Sequence, residues 1–215
     1  NGDDDPDDNF LLSNNLTPSS AFQAAVDTIF GLFSEITGIT FVKVTETSTQ
    51  CGDIRIGLNN MESTGLYGTT IAPYYSFGSG GIDVWINNTV LGNSSWGNGS
   101  DGFQTLIHEI GHTLGLSHPH DSSSYNESNL STAWDAVYYT QMAYTDFVGD
   151  DTDTFSIKTT AGGEAYPYTP MYLDIKVLQY IYCWNAQISD WVYPEKNTGD
   201  DTYTFDGIYN YTIYD

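Results

Sequence analysis

His108-Glu109-Ile110-Gly111-His112-Thr113-Leu114-Gly115-Leu116-Ser117-His118 is the stretch on which the reading of this chain turns. His108 and His112 are four residues apart, so on a helix their imidazoles share one face, about one turn apart. Two ring nitrogens so placed can reach one tetrahedral zinc ion at about 2.0–2.1 Å each. Glu109 sits beside the first ligand rather than on the metal, where its carboxylate can take a proton from an attacking water and return it to a leaving amine. The chain must then leave the helix sharply for a third ligand to swing back. Gly115 does this at positive φ without steric cost, and His118 completes three nitrogen donors. The HExxHxxGxxH pattern fixes five positions and holds three of the chain's four histidines. His120 falls just outside it and receives no role.

The pattern lies on a predicted helix, Gly102–Gly115, whose apolar face is Phe103, Leu106, Ile107, Ile110 and Leu114. Upstream, Thr17 as N-cap and Pro18 in the first turn predict a helix carrying Phe22, Val26, Ile29, Phe30, Phe33 and Ile36, stopped by Gly38. Ile39–Thr45 alternates and is rich in β-branched residues, so it reads as a strand. Further strands are read at Ile54–Leu58, Thr69–Ala72 and Ile82–Asn87, with a Gly/Asn/Ser loop at Asn93–Gly102. The chain then reads as irregular to about Tyr168. A last helix is expected from Pro170 to about Trp184, capped by Thr169, and a strand-like TYTF at Thr202–Phe205.

The 215 residues fit one domain large enough to form a core without disulfide staples. Five Lys plus Arg face 28 Asp plus Glu, a formal net charge of -23. Such a surface repels nucleic acid and anionic membranes, and nucleic-acid partners are excluded. No run of about 18 apolar residues is present, so no membrane insertion is expected. Cys51 and Cys183 leave two readings open, one bridge or two isolated thiols. Asn-x-Ser/Thr sequons at Asn15, Asn87, Asn93, Asn98, Asn126, Asn129 and Asn210 are compatible with N-linked glycans on an exported protein. Asp150, Asp151, Asp153, Asp200 and Asp201 leave Ca2+ open as a structural ion, although their spacing matches no EF-hand loop.

The zinc motif resembles the metzincin clan of metallopeptidases, and Pro119 after the third histidine resembles its serralysins. Gln141-Met142-Ala143-Tyr144 looks like the clan's Met-turn. The resemblance implies Met142 as an apolar floor beneath the ligands. It implies Tyr144 as a further zinc ligand that can instead donate a hydrogen bond to the reacting carbonyl. Ala21–Val44 resembles the family's first helix and strand, and Thr169–Trp184 its long late helix. Gly80–Asn87 resembles the edge strand above its cleft, which makes Gly81, Ile82, Asp83, Val84 and Trp85 candidates for pairing with an extended substrate. The likeness runs from about Phe10 to Phe205. It departs at Ala143, where Ser is usual, in the two cysteines, and in lacking the family's full calcium-binding nonapeptide repeats. Asn197–Gly207 resembles only the junction to them.

These readings imply an α+β fold: a twisted, mostly parallel sheet with an antiparallel edge strand and helices in an upper lobe, over an irregular lower lobe with the Met-turn and a C-terminal helix. Residues 1–9 form an acidic arm, 10–186 the catalytic domain and 187–215 an extension, in a chain expected to be part of something longer. The implied function is a secreted zinc endopeptidase acting on extended protein or peptide substrates. A catalytically silent module of the same fold in a glycoprotein assembly is the alternative. Pro119 and Tyr144 together weigh against matrixin-like enzymes, and Pro119 against astacin-like ones.

Overall fold

A computed structural model of the chain describes residues 15–47, 50–61, 65–71, 81–92, 95–121, 129–145, 157–158 and 164–194. The elements in order are β1 (Asn15–Leu16), α1 (Ser20–Thr37), β2 (Ile54–Asn59), β3 (Gly68–Ile71), β4 (Ile82–Asn87), α2 (Asn88–Leu91), α3 (Asp101–Thr113), β5 (Ile157–Lys158), β6 (Glu164–Ala165), α4 (Tyr172–Tyr182), β7 (Trp184–Asn185) and β8 (Asp190–Trp191). None of the described helices is long and apolar enough to cross a membrane.

Helix α1 begins two residues later than its Thr17-Pro18 signal. Ser19 is extended and its hydroxyl accepts the Phe22 N–H at 3.1 Å, which makes Ser19 the cap and leaves Pro18 outside. Gly38 ends the helix at φ 74, donating its N–H to the Ser34 carbonyl. Phe22, Ile29, Phe33 and Ile36 are buried from this face against Leu106, Ile107 and Ile110 of α3 and Ile175 and Leu178 of α4. One apolar stripe per helix thus closes a single main core over the sheet.

The four-stranded sheet runs β1-β2-β4-β3, and only its β2/β4 pair is parallel; β1/β2 and β3/β4 are antiparallel. A mixed sheet therefore replaces the mostly parallel one expected. Ile39–Thr45 forms no strand ladder among the described residues. Phe41 packs on Phe30, but Val42 is 75% exposed. Local alternation makes a segment fit for a sheet, while a ladder needs a neighbour with free backbone groups.

The strand order also moves the edge. Ile82–Asn87 lies between β2 and β3, with Ile82, Asp83, Val84 and Trp85 in register with 54–57 of β2, and Asp83–Trp85 also opposite Ile71–Thr69 of β3. Asp83 holds Arg55 through two contacts of 2.5 and 2.7 Å, Val84 is fully buried, and Trp85 packs with Met61. A β-carbon at Gly81 would collide with the Gly52 carbonyl. Asp83, Val84 and Trp85 thus lie inside the sheet with both backbone edges paired, Ile82 pairs only with β2, and β3 is the end strand of the sheet among the described residues.

Helix α4 is capped by Met171 rather than Thr169, because the Asp174 carboxylate accepts the Met171 N–H at 2.8 Å. Chain Trp184–Trp191 returns as a hairpin, with the two indoles edge-on at 4.5 Å. The boundary expected between 186 and 187 falls within its turn. Cys51 and Cys183 are both free, the first exposed and the second buried, which decides against a bridge. Asn87 is also fully buried, its side chain bonded to Met61, Leu66 and Thr89, so that sequon cannot carry a glycan in the folded chain. The acidic arm, the TYTF stretch and the five aspartates considered for calcium lie outside the described residues.

Candidate metal centre

Helix α3 carries His108 and Glu109 in its buried third turn and His112 near its end. Gly115 follows at φ 93, a conformation that reverses the chain at little cost only for glycine. Leu116 then donates back to the Gly111 carbonyl at 3.2 Å, and His118 comes round to face the helix. Both His108 Nε2 and His112 Nε2 lie 3.1 Å from His118 Nε2.

The opposite ring nitrogens decide what those Nε2 atoms are. His108 Nδ1 donates to the Gln141 carbonyl at 2.7 Å, His112 Nδ1 to the Leu116 carbonyl at 2.8 Å, and His118 Nδ1 to the Asp121 carboxylate at 2.6 Å. Carbonyls and carboxylates only accept, so each Nδ1 holds the proton and each Nε2 presents a lone pair. Three lone pairs converging at about 3 Å repel one another until a cation sits among them. Such backing of the distal nitrogen by an acceptor is how metal-ligating histidines are oriented. Burial holds His108 down to about 3, helped by His112, and burial holds His112 down to about 4, so both stay neutral at pH 7 as ligands must. The donor set fits a metal ion, and His108, His112 and His118 could hold one together.

The Tyr144 hydroxyl reaches the same point, 2.9 Å from His118 Nε2. Its pKa is raised, first by burial and then by Glu109 and Asp121, so it remains a donor. Met142 is buried, and a β-carbon on Gly111 would lie 3.3 Å from its Sδ, which puts the thioether under the ligand helix. Glu109 is buried and its pKa rises to about 7, burial outweighing the lowering by a Thr70 hydrogen bond. His120 lies next to this group, its ring parallel to His118 at 5.3 Å and near Asp135.

Several supporting groups were not read from the sequence. Thr70 Oγ1 on β3 lies 2.7 Å from Glu109 Oε2 and 2.9 Å from the Glu109 carbonyl. Gly68, on the same strand, has no room for a β-carbon, which would stand 2.7 Å from Glu109 Cγ. Asp174 accepts from Thr140 Oγ1 at 2.6 Å and from the N–H groups of Gln141 and Met171 at 2.8 Å each. It thereby ties the turn carrying Gln141 and Met142 to α4. A charged residue on the inner face of an apolar helix was the one local signal for it.

The residues 9–146 match the family model described as matrixin, which is more than half of the chain. The chain belongs to the matrixin family. Metalloprotease AprA of Pseudomonas entomophila is 32% identical over 179 residues, covering 78% of this chain and 35% of that protein. Serralysin A of Dickeya chrysanthemi is 33% identical over 180 residues, covering 80% of this chain and 35% of the relative. Serralysin of Proteus mirabilis is 37% identical over 134 residues, 58% of this chain and 23% of its own length. This matrixin-family chain therefore spans about a third of the length of the curated relatives it matches. The serralysin-like character read from Pro119, Met142 and Tyr144 agrees with those relatives, although the matching family model carries the matrixin name that the sequence reading weighed against.

Proposed function

We propose that the chain is the catalytic unit of a zinc-dependent endopeptidase, with zinc held by His108, His112 and His118 and, at rest, by Tyr144. The observation that carries this is the convergence of three Nε2 lone pairs, a buried carboxylate and a tyrosine hydroxyl beside β3, the end strand of the sheet among the described residues. Bound there, zinc would act as a Lewis acid and make water acidic enough to attack near neutral pH. The chain's own groups do the rest. Glu109, neither a ligand nor exposed, takes the proton of the attacking water and passes it to the leaving amine. Thr70 and Gly68 hold that carboxylate against β3. The Tyr144 hydroxyl donates to the oxygen on which charge develops. The outer edge of β3, the end strand among the described residues, offers backbone groups to an extended peptide, so the backbone is bound without regard to sequence and side-chain cavities choose the site.

Acidic charge, sequons such as the exposed Asn98 and Asn129, and relatives named serralysin support action outside the cell on protein or peptide substrates. The intact set of ligands, base and tyrosine weighs against a silent module. The test is paired: zinc content, and cleavage of an unfolded protein by the native chain, a chelated sample and Glu109→Gln. One zinc per chain, with cleavage lost on chelation and in Glu109→Gln, is expected. Zinc bound without any turnover in the native chain would overturn the enzymatic reading.

A further inference from the structure

His120 is the one histidine outside the ligand set, yet the fold brings it against the metal centre. Its ring lies parallel to that of His118, 5.3 Å away between centroids and 2° from coplanar. It meets the Tyr144 ring at 4.8 Å and 50°, and His118 meets that ring at 4.8 Å and 52°. The phenol thus rests across a pair of stacked imidazoles, one belonging to the ligand set and one not. His120 is itself braced. Its Nδ1 lies 3.4 Å from Asp135 Oδ2, and Asp135 Oδ1 is enclosed with no hydrogen-bond partner among the described residues. A carboxylate so enclosed favours a nearby N–H, which the imidazole supplies. The Asp135 carbonyl accepts the Thr145 hydroxyl, and the Val137 N–H donates to the Thr145 carbonyl at 2.8 Å. Asp135 is thereby tied to the residue that follows Tyr144.

We propose that His120, braced by Asp135, is a positioning residue whose ring backs the Tyr144 phenol and keeps its hydroxyl at the metal centre. The inference rests on the peptidase reading above, in which Tyr144 serves the metal at rest and the reacting carbonyl in turnover. Tyr144 is 41% exposed, so a swing of its side chain into solvent would carry the hydroxyl away from His118 Nε2, now 2.9 Å distant. The rings it touches oppose that swing. His108 and His118 are two of them, and both are oriented by the metal they would hold. His120 supplies a wall whose position is set by Asp135 instead. A ring pair of this kind shifts a conformational equilibrium by about 2–12-fold. That is enough to decide whether a partly solvated tyrosine spends most of its time at the metal or away from it.

The test loads the full chain with zinc for turnover and with copper(II), which imidazoles also bind, for spectroscopy. A phenolate on copper(II) absorbs visible light, and the band belonging to Tyr144 is the one missing from Tyr144→Phe. His120→Ala should lower that band by about half or more, and His120→Phe, which keeps a ring, should restore most of it. Asp135→Ala, which keeps the imidazole without its brace, should give a loss of the same sign. In turnover, His120→Ala should lower kcat about 2–12-fold with KM unchanged, and should cost nothing further in a Tyr144→Phe background. Thermal unfolding checks that the variants fold. A copper band equal in wild type and His120→Ala, or absent from both, overturns the inference, while cleavage by the zinc-loaded wild type keeps the peptidase reading. A loss of kcat that persists in the Tyr144→Phe background, or zinc bound more weakly by His120→Ala than by Tyr144→Phe, also overturns it, by making His120 an independent catalytic group or a ligand. No cleavage by any of these chains, with a band that still depends on His120, sinks the peptidase reading and keeps the positioning role.

Discussion

Asp174→Ala tests whether the metal centre is held from behind. The wild-type carboxylate is buried and satisfies three donors: the Thr140 hydroxyl and the N–H groups of Gln141 and Met171. Alanine orphans all three inside the core, and each unsatisfied buried donor costs about 1–3 kcal/mol. Relief from burying a carboxylate offsets part of this, so a net loss of about 3 kcal/mol is expected. The assay is denaturant unfolding of the metal-free chain at pH 7. The same change loosens the Gln141 carbonyl that orients His108, so zinc affinity measured by chelator competition falls about tenfold. Asp174→Asn isolates the charge. The native-state pKa is pushed up to about 6 by burial, against an ordinary 3.8. Because the folded state holds the proton more tightly, the stabilisation from this group is full below about pH 4 and is lost as pH rises through about 6. The wild type should lose about 3 kcal/mol relative to Asp174→Asn across that window. A wild type and Asp174→Ala that unfold within about 0.5 kcal/mol of each other, with equal zinc affinity, would refute the coupling.

Thr70→Val keeps the shape but removes the hydroxyl on Glu109; turnover should fall about tenfold or more with zinc content unchanged. Since that hydrogen bond lowers the Glu109 pKa, its loss should move the acid limb of the rate profile to higher pH, with Thr70→Ser restoring it. Tyr144→Phe should lower kcat by about 10–100-fold with little change in KM, and an equal loss in both would point to ground-state binding instead. Gly115→Ala forces a β-carbon onto φ 93, so stability should drop by about 1–2 kcal/mol and zinc affinity with it, read by unfolding and chelator competition.

Much of the centre was legible because it is local. Four-residue spacing places His108 and His112 on one face of whatever helix forms, and Gly115 marks where the chain must turn. The apolar stripes of α1 and α3 follow from helical periodicity alone, so those two helices and most of their buried faces were legible. Cap positions slipped by a few residues, because Ser19 and Asp174 compete with neighbours for the same N–H groups and geometry chooses between them. The sheet was different. Ile39–Thr45 has the composition of a strand, yet finds no ladder partner among the described residues, while Ile82–Asn87 carries an edge-like sequence but sits between β2 and β3. Pairing joins segments far apart in the chain, and nothing in either segment records its neighbour. Sequence alone thus determined which side chains could bind zinc and which helix bears them. Only the tertiary structure decided that β3 ends the sheet among the described residues, that Thr70 reaches Glu109 across 39 residues, and that Asp174 braces His108 through Gln141. Those are contacts of buried polar groups, and a buried polar group's partner is fixed by packing rather than by periodicity.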